Sequence, residues 1–194
     1  MRKIVKEIVL YRFSELPEEA KDVARQKEMA LFGYPSSDEA LNSIHALAIH
    51  FGGRMYGYEI DWFGCSYSSA KFDVPDDMEH DEIASRLAVL GDYNKETLHG
   101  NGECRLTGWC YDEDAIDGFR IAFMGGERDM GKLMQAAFRQ WLKACQSDCE
   151  WQYGDEQFSE TCDANGYWFT KDGAFYEADL DAMSDEQLAD ALNE

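Results

Sequence analysis

Six cysteines and four histidines are the residues of this chain best suited to bind a metal ion. Zinc sites of the common type use cysteine pairs separated by about two to four residues on turns. Cys104 and Cys110 instead lie in a predicted strand, and Cys145 and Cys149 lie on a predicted helix. Because free cysteine is among the most buried residue types, we predict buried thiols, no metal site and no cofactor. A small metal-binding protein stays an alternative.

The aspartates around residue 112 invite comparison with a calcium-binding loop. An EF-hand loop needs oxygen ligands at alternating positions and a closing glutamate. The segment that begins at Asp112 reads DEDAIDGFRIAF, which has isoleucine at its fifth position and phenylalanine at its last. This spacing argues against a calcium loop.

Nucleophilic catalysis requires a serine or cysteine with a base within hydrogen-bond reach. His45 and His50 lie on one predicted helix at a spacing that makes their side chains diverge, and His80 and His99 lie in polar segments. The sequence contains no GxSxG, HExxH or phosphate-loop motif. We therefore predict that the protein is not an enzyme.

The elements that would position these residues are predicted from the spacing of apolar residues and from turn signals. They are a strand over 3–13, helices over 14–33 and 36–51, a hairpin over 54–74, a helix over 76–90, a strand over 104–111, helices over 112–123 and from 129 past 149, a hairpin over 162–176 and a short helix after 184. The predicted class is α+β: a small antiparallel sheet with helices packed mainly on one face, a C-terminal hairpin and a short terminal helix. We predict one domain over 1–176 and an acidic tail over 177–194.

Aromatic side chains alternate along the predicted strand over 54–63. Tyr56, Tyr58, Ile60 and Trp62 fall on one side, which we expect to face the core. Acidic residues surround these rings, whereas proteins that stack bases surround such rings with lysine and arginine. We therefore expect no direct binding of nucleic acid.

The N-terminal stretch MRKIVKEIVLYRF lacks the apolar core of a signal peptide, and no segment reaches transmembrane length. Cysteines in a chain without such a signal are typical of reduced thiols in a cytosol. We expect a cytoplasmic protein that does not bind membranes, and the sequence leaves its oligomeric state open.

Net charge is the most unusual property of this chain. Acidic residues number 39 against 18 basic ones, which gives −21. Such a charge opposes binding to nucleic acid or anionic membranes, and it favours a basic partner such as the nucleic-acid groove of another protein. Solubility alone would also account for it. The predicted partner-binding residues are exposed acids and one aromatic anchor: Asp76, Asp77, Glu79, Asp81, Glu82, Asp112, Glu113, Asp114, Asp155, Glu156 and Trp168.

Three segments, YRFSELPEEAKDVA, YEIDWFGCSYSSAKFDV and ANGYWFTKDGAFY, resemble a pattern in uncharacterised phage and prophage proteins. In that family a strand leads into an F-x-E-L-x-E-E-A-K helix, and an A-N-x-Y-x-F-T-x-D-G hairpin closes the domain. The similarity spans most of 3–176, and the chain departs from the pattern in its central tryptophans and glycines and in the tail 177–194. The family has no assigned activity, so no residue acquires a role from it.

The resemblance implies a context, because small acidic phage proteins without catalytic motifs are often anti-CRISPR or antirestriction inhibitors. Our leading hypothesis is a phage-encoded inhibitory binding protein in the host bacterial cytosol. It would block a host nucleic-acid-handling defence complex through an acidic surface that mimics nucleic acid. Its partner would be a basic nucleic-acid-binding protein. The alternative is an interaction module without mimicry that docks through the aromatic hairpin over 162–176.

Overall fold

The computed structural model describes residues 8–90 and 106–176. In chain order it has a 3-10 turn (Phe13–Glu15), α1 (Glu18–Phe32), α2 (Ser37–His50), β1 (Arg54–Glu59), β2 (Ser69–Asp73), α3 (His80–Val89), α4 (Asp112–Met124), α5 (Met130–Gln152) and α6 (Asp155–Ala164). β1 and β2 pair as an antiparallel sheet. The predicted α+β class is therefore confirmed. The predicted strand residues 3–7, the tail 177–194 and the helix after 184 lie outside the described residues.

The chain forms two compact units. The terminal unit combines Met1–Gly33 with Tyr153–Glu194, and the central unit is Tyr34–Gln152. The expectation of one domain over 1–176 stays a prediction.

The terminal unit is built around aromatic rings. Phe13 packs edge-on against Phe158 with ring centroids 4.8 Å apart, and Phe169 lies 6.1 Å from Phe13. Single bridges join Phe169 to Tyr11 and to Phe175. The described part of the predicted N-terminal strand and the predicted hairpin therefore form one bridge each. Both segments still pack their aromatic side chains together. They contribute to stability through the burial of these rings.

The turn of the C-terminal hairpin is where the sequence predicts it. Thr170 N donates to the Ala174 carbonyl at 2.8 Å, and Gly173 adopts a φ of 77°. A Cβ atom at Gly173 would also overlap the carbonyl oxygen of Ala20 on α1. Only glycine suits this position, because it tolerates positive φ and leaves room for the helix backbone.

Helix α6 was not among the predicted elements. Its apolar positions are few, with only Phe158 and Cys162 buried, and the acidic residues between them give a weak helical pattern. The hairpin predicted over 162–176 therefore starts too early, since residues 162–164 belong to α6, which ends at Ala164.

The core of the central unit lies between α4 and α5, with α2 packed against both. Gly118 lets α4 approach α5 closely: a Cβ atom there would lie 2.7 Å from the Ala136 carbonyl oxygen. Phe119 of α4 stacks on Phe51 at 4.2 Å between centroids, and Trp141 of α5 is fully buried.

The predicted inward face of the first hairpin strand is wrong at two positions. Met55 is 5% exposed, whereas Tyr56 is 61% and Tyr58 is 52% exposed. The ladder shifts register between Met55 and Gly57, so Tyr56 is an extra residue in β1. A bulge of this kind breaks the strict alternation on which the prediction depended.

The predicted strand over 104–111 is also wrong within the described residues. Residues 106–111 form bends and a turn. The carboxylate of Asp112 accepts the backbone N–H groups of Thr107 and Gly108, which a strand would offer to a neighbouring strand. Gly108 has a φ of 87°, which is incompatible with an extended strand.

Candidate partner-binding surfaces

The acidic segment, residues 76–82, is the predicted cluster that the structure displays in full. It follows β2 and runs into the first turn of α3, and all five of its carboxylates are exposed: Asp76, Asp77, Glu79, Asp81 and Glu82. Pro75 precedes the segment, and Glu79 takes the extended N-cap position of α3 with φ −67° and ψ 149°. Ile83 and Leu87 anchor α3 in the core, so the carboxylates before them are held at the surface.

Arg86 offsets part of the charge of the acidic segment, since it donates to Glu82 at 2.9 Å, one helical turn along α3. Just outside the segment, Asp73 at the end of β2 pairs with Arg54 at 3.2 Å. The imidazole of His80 lies 3.3 Å from the carboxylate of Asp81. Acidic residues in the first turn also stabilise the helix dipole, so some of this charge serves α3 itself.

The cluster at 112–114 does not form an acidic surface, which corrects the sequence-based expectation. Asp112 is fully buried, and Glu113 is 7% exposed. Besides the two N–H groups, Asp112 accepts the Thr107 hydroxyl at 2.9 Å. Asp114 is half-buried, with the Gln140 amide 3.5 Å away. Asp112 therefore organises the loop before α4, and neither Asp112 nor Glu113 is displayed to a partner.

Asp155 and Glu156, two of the predicted partner-binding residues, begin α6, and both are exposed. Asp155 forms an ion pair with Arg25 of α1, which also pairs with Asp22. Asp155 therefore contributes to the contact between α1 and α6, and it is less accessible to a foreign cation than Glu156.

Trp168, the predicted aromatic anchor, is 38% exposed. The guanidinium carbon of Arg12 lies 3.7 Å from its ring centroid, and Arg12 also donates to the Tyr167 carbonyl at 3.3 Å. One face of the indole is thus already covered by a cation of the same unit. Only the remaining ring surface is available to a partner.

A small groove in the central unit was missed by the sequence analysis. Its described lining residues are Glu39, Asn42, Thr107, Gly108 and Trp109, and its volume is about 190 Å³. We call it the Trp109 groove. The only sequence signal for it is the Thr-Gly-Trp stretch, which was interpreted as part of a strand.

A buried polar cluster surrounds Asp148 of α5. Its carboxylate accepts the Tyr34 hydroxyl at 2.7 Å and the Gln152 amide at 2.6 Å. Burial raises the pKa of Tyr34, and the hydrogen bond to Asp148 raises it further. Burial and the same carboxylate raise the pKa of Tyr111. Both tyrosines are therefore neutral hydroxyl donors at physiological pH.

The buried cysteines are held as thiols. Burial raises the pKa of Cys149 to about 12 and that of Cys162 to about 12. Since the thiolate is the nucleophile and the metal ligand, both side chains are unreactive at neutral pH. Within residues 8–90 and 106–176, no three histidine, cysteine or acidic side chains are grouped as a metal ion would require.

None of the helices in the described part of the chain combines the length and apolar character that crossing a bilayer requires.

Comparisons of the chain with protein-family models, with curated proteins and with solved structures found no match. The α+β class is therefore described from its own elements, and the resemblance to phage proteins stays a prediction.

Proposed function

We propose that this protein is an inhibitory binding protein. It is of the anti-CRISPR or antirestriction type and occupies the basic nucleic-acid groove of a host nucleic-acid-handling defence complex. The observation that supports this most directly is the acidic segment, whose five carboxylates are all exposed on one short stretch of the surface. The overall charge of −21 gives the long-range attraction to a basic partner.

The charge density of the acidic segment is close to that of a nucleic-acid strand. Six peptide steps from Asp76 to Glu82 extend over at most about 21 Å. The Cα atoms of the five acidic residues in that length are therefore no more than about 5 Å apart on average. One strand of duplex DNA carries a phosphate about every 3.4 Å. A groove lined with lysine and arginine would therefore meet a comparable density of charge.

Complementary charge also sets the kinetics expected of such an inhibitor. Electrostatic steering raises association rates, and salt screens it beyond about 10 Å at ~0.1 M. Inhibition would therefore be fast at low salt and would compete with nucleic acid for the same groove.

A second candidate is an interaction module without mimicry. Its support is the exposed fraction of Trp168, 38%, and of Phe175, 40%, because aromatic side chains of this kind act as anchors in protein interfaces. In that case the acids serve solubility, and the complex would resist salt.

The test is capture of partners from a bacterial lysate, followed by displacement with duplex DNA. One variant neutralises the acidic segment: Asp76→Asn, Asp77→Asn, Glu79→Gln, Asp81→Asn and Glu82→Gln. A control with the same net charge neutralises five exposed acids outside the segment: Glu19→Gln, Glu59→Gln, Glu150→Gln, Glu160→Gln and Asp163→Asn.

We expect the wild type and the control to capture a nucleic-acid-binding protein that duplex DNA displaces, and we expect the segment variant to lose it. Capture that is equal for both variants and insensitive to duplex would refute mimicry. If capture of the partner is lost only when Trp168 is replaced with alanine, the second candidate is favoured.

A further inference from the structure

The Trp109 groove offers a cation a negatively charged wall. Glu39 and Asn42 lie three residues apart on α2, so both side chains project from one face of the helix at the groove. Glu39 is exposed and supplies a carboxylate, and Asn42 supplies an amide oxygen. No lysine or arginine is among the described residues that line the groove. Among these described residues an anionic ligand would therefore find repulsion and no counter-charge.

Trp109 lines the same groove. Its Nε1 atom is shielded from solvent and has no hydrogen-bond partner within the described chain, although the residue as a whole is partly exposed. The exposed part of Trp109 therefore excludes its hydrogen-bond donor and presents carbon. Such a surface suits a cation held against the ring, and tryptophan is the aromatic side chain that binds cations best.

The loop that carries Trp109 is fixed before any ligand arrives. The buried carboxylate of Asp112 accepts hydrogen bonds from Thr107 N at 2.7 Å and from Gly108 N at 3.1 Å. The Thr107 hydroxyl, which donates to Asp112, accepts the Trp109 N–H at 3.2 Å. A wall held in this way loses little conformational entropy on binding. The negative charge of Asp112 lies behind the same loop and adds to the attraction for a cation.

The size of the groove limits what it can hold. Its volume is about 190 Å³, whereas sites for drug-sized ligands are about 300–1,000 Å³. One side chain fits this description better than a cofactor or a nucleotide. Arginine matches the walls best, since its planar guanidinium stacks on aromatic rings and binds carboxylates through two N–H groups.

We propose that the Trp109 groove binds one arginine side chain of the basic partner, between the indole of Trp109 and the carboxylate of Glu39. This inference rests on the proposed function for the identity of the partner. It adds a specific contact to the diffuse attraction of the acidic segment. A partner whose nucleic-acid groove is rich in arginine would therefore be bound more tightly than one whose groove is rich in lysine.

The test uses the full-length protein and N-acetyl-arginine amide, followed through the indole N–H signal of Trp109 in a nitrogen-15 NMR spectrum at low salt. Replacement Trp109→Phe assigns that signal among the five tryptophans. We expect saturable binding with a Kd on the order of millimolar, typical of one charged contact and one stacked ring. N-acetyl-citrulline amide has the same shape without the charge and should bind at least about fivefold more weakly.

Matched variants separate the groove from the general charge of the chain. Glu39→Gln should weaken binding of the arginine probe about fivefold. Asp38→Asn removes a neighbouring exposed carboxylate that does not line the groove and should leave the affinity within about twofold. N-acetyl-lysine amide should bind more weakly than the arginine probe.

Three results would overturn the inference: no shift of the Trp109 signal, equal binding of arginine and citrulline, or equal loss in both carboxylate variants. None of them depends on a host protein. If the arginine probe binds as expected but duplex DNA does not displace the captured partner, the groove stands and the proposed function fails.

Discussion

Replacing Asp112 should destabilise the central unit more than replacing any exposed carboxylate. The side chain is fully buried, and its carboxylate accepts two backbone N–H groups and the Thr107 hydroxyl. Hydrogen bonds to a charged group contribute about 1.5–3 kcal/mol each. Thr107 and Gly108 are exposed, so water can satisfy their donors in a variant. We therefore expect Asp112→Ala to lower the free energy of unfolding by about 2–3 kcal/mol rather than by the full sum.

Urea denaturation followed by tryptophan fluorescence measures this loss. Trp62, Trp109, Trp141 and Trp151 lie in the central unit, so the signal reports mainly on that unit. With a slope of about 2 kcal/mol per molar urea, the midpoint should fall by about 1–1.5 M. Asp38→Asn, at an exposed position, serves as the control and should change the midpoint little. A midpoint for Asp112→Ala equal to that of the wild type would refute the assignment of Asp112 as the residue that fixes the loop.

Three further predictions follow from the packing. Gly118→Ala should lower the free energy of unfolding by about 1–3 kcal/mol in the same assay, because its Cβ atom would lie 2.7 Å from the Ala136 carbonyl oxygen. A variant as stable as the wild type would contradict the close approach of α4 and α5. Gly173→Ala should destabilise the terminal unit and increase proteolysis near the hairpin, since φ is 77° there; an unchanged digestion pattern would count against this turn. Stability should fall as the pH rises from 9 towards 12, because the buried thiols of Cys149 and Cys162 have pKa values raised from 9.0 to about 12 and their neutral forms favour the folded state below pH 9. Burial also raises the pKa values of Cys145, Tyr34 and Tyr111, so replacing Cys149 and Cys162 with alanine should lessen this alkaline decline without removing it. A decline of unchanged steepness would show that the other groups cause it.

The long helices could be predicted from the sequence because their apolar residues recur at helical spacing. Ile83 and Leu87 of α3 are buried as that spacing predicts, and Trp141 and Cys145 of α5 lie in the core. Local turn chemistry was equally informative at Gly173. These signals are contained within a few neighbouring residues, so no tertiary information is needed to interpret them.

The errors occur where a tertiary interaction overrides the local pattern. In β1 the register shift between Met55 and Gly57 interrupts the alternation, so Met55 is buried and Tyr56 is exposed. The loop before α4 is fixed by Asp112, a residue whose charge alone suggested exposure. The Trp109 groove joins α2 to that loop, with Ser43 and Thr107 hydroxyls 3.4 Å apart. No periodicity in the sequence predicts that these distant segments meet.

The central claim is that an exposed row of carboxylates occupies a basic groove, and the salt dependence of binding to the captured partner tests it most directly. Dissociation constants of the wild type, the acidic-segment variant and the equally charged control should be measured between about 50 and 200 mM salt. We expect the affinity of the wild type and of the control to fall at least about tenfold over this range, and that of the segment variant to be weak throughout. An affinity that is independent of salt, or equal for the two variants, would contradict the account.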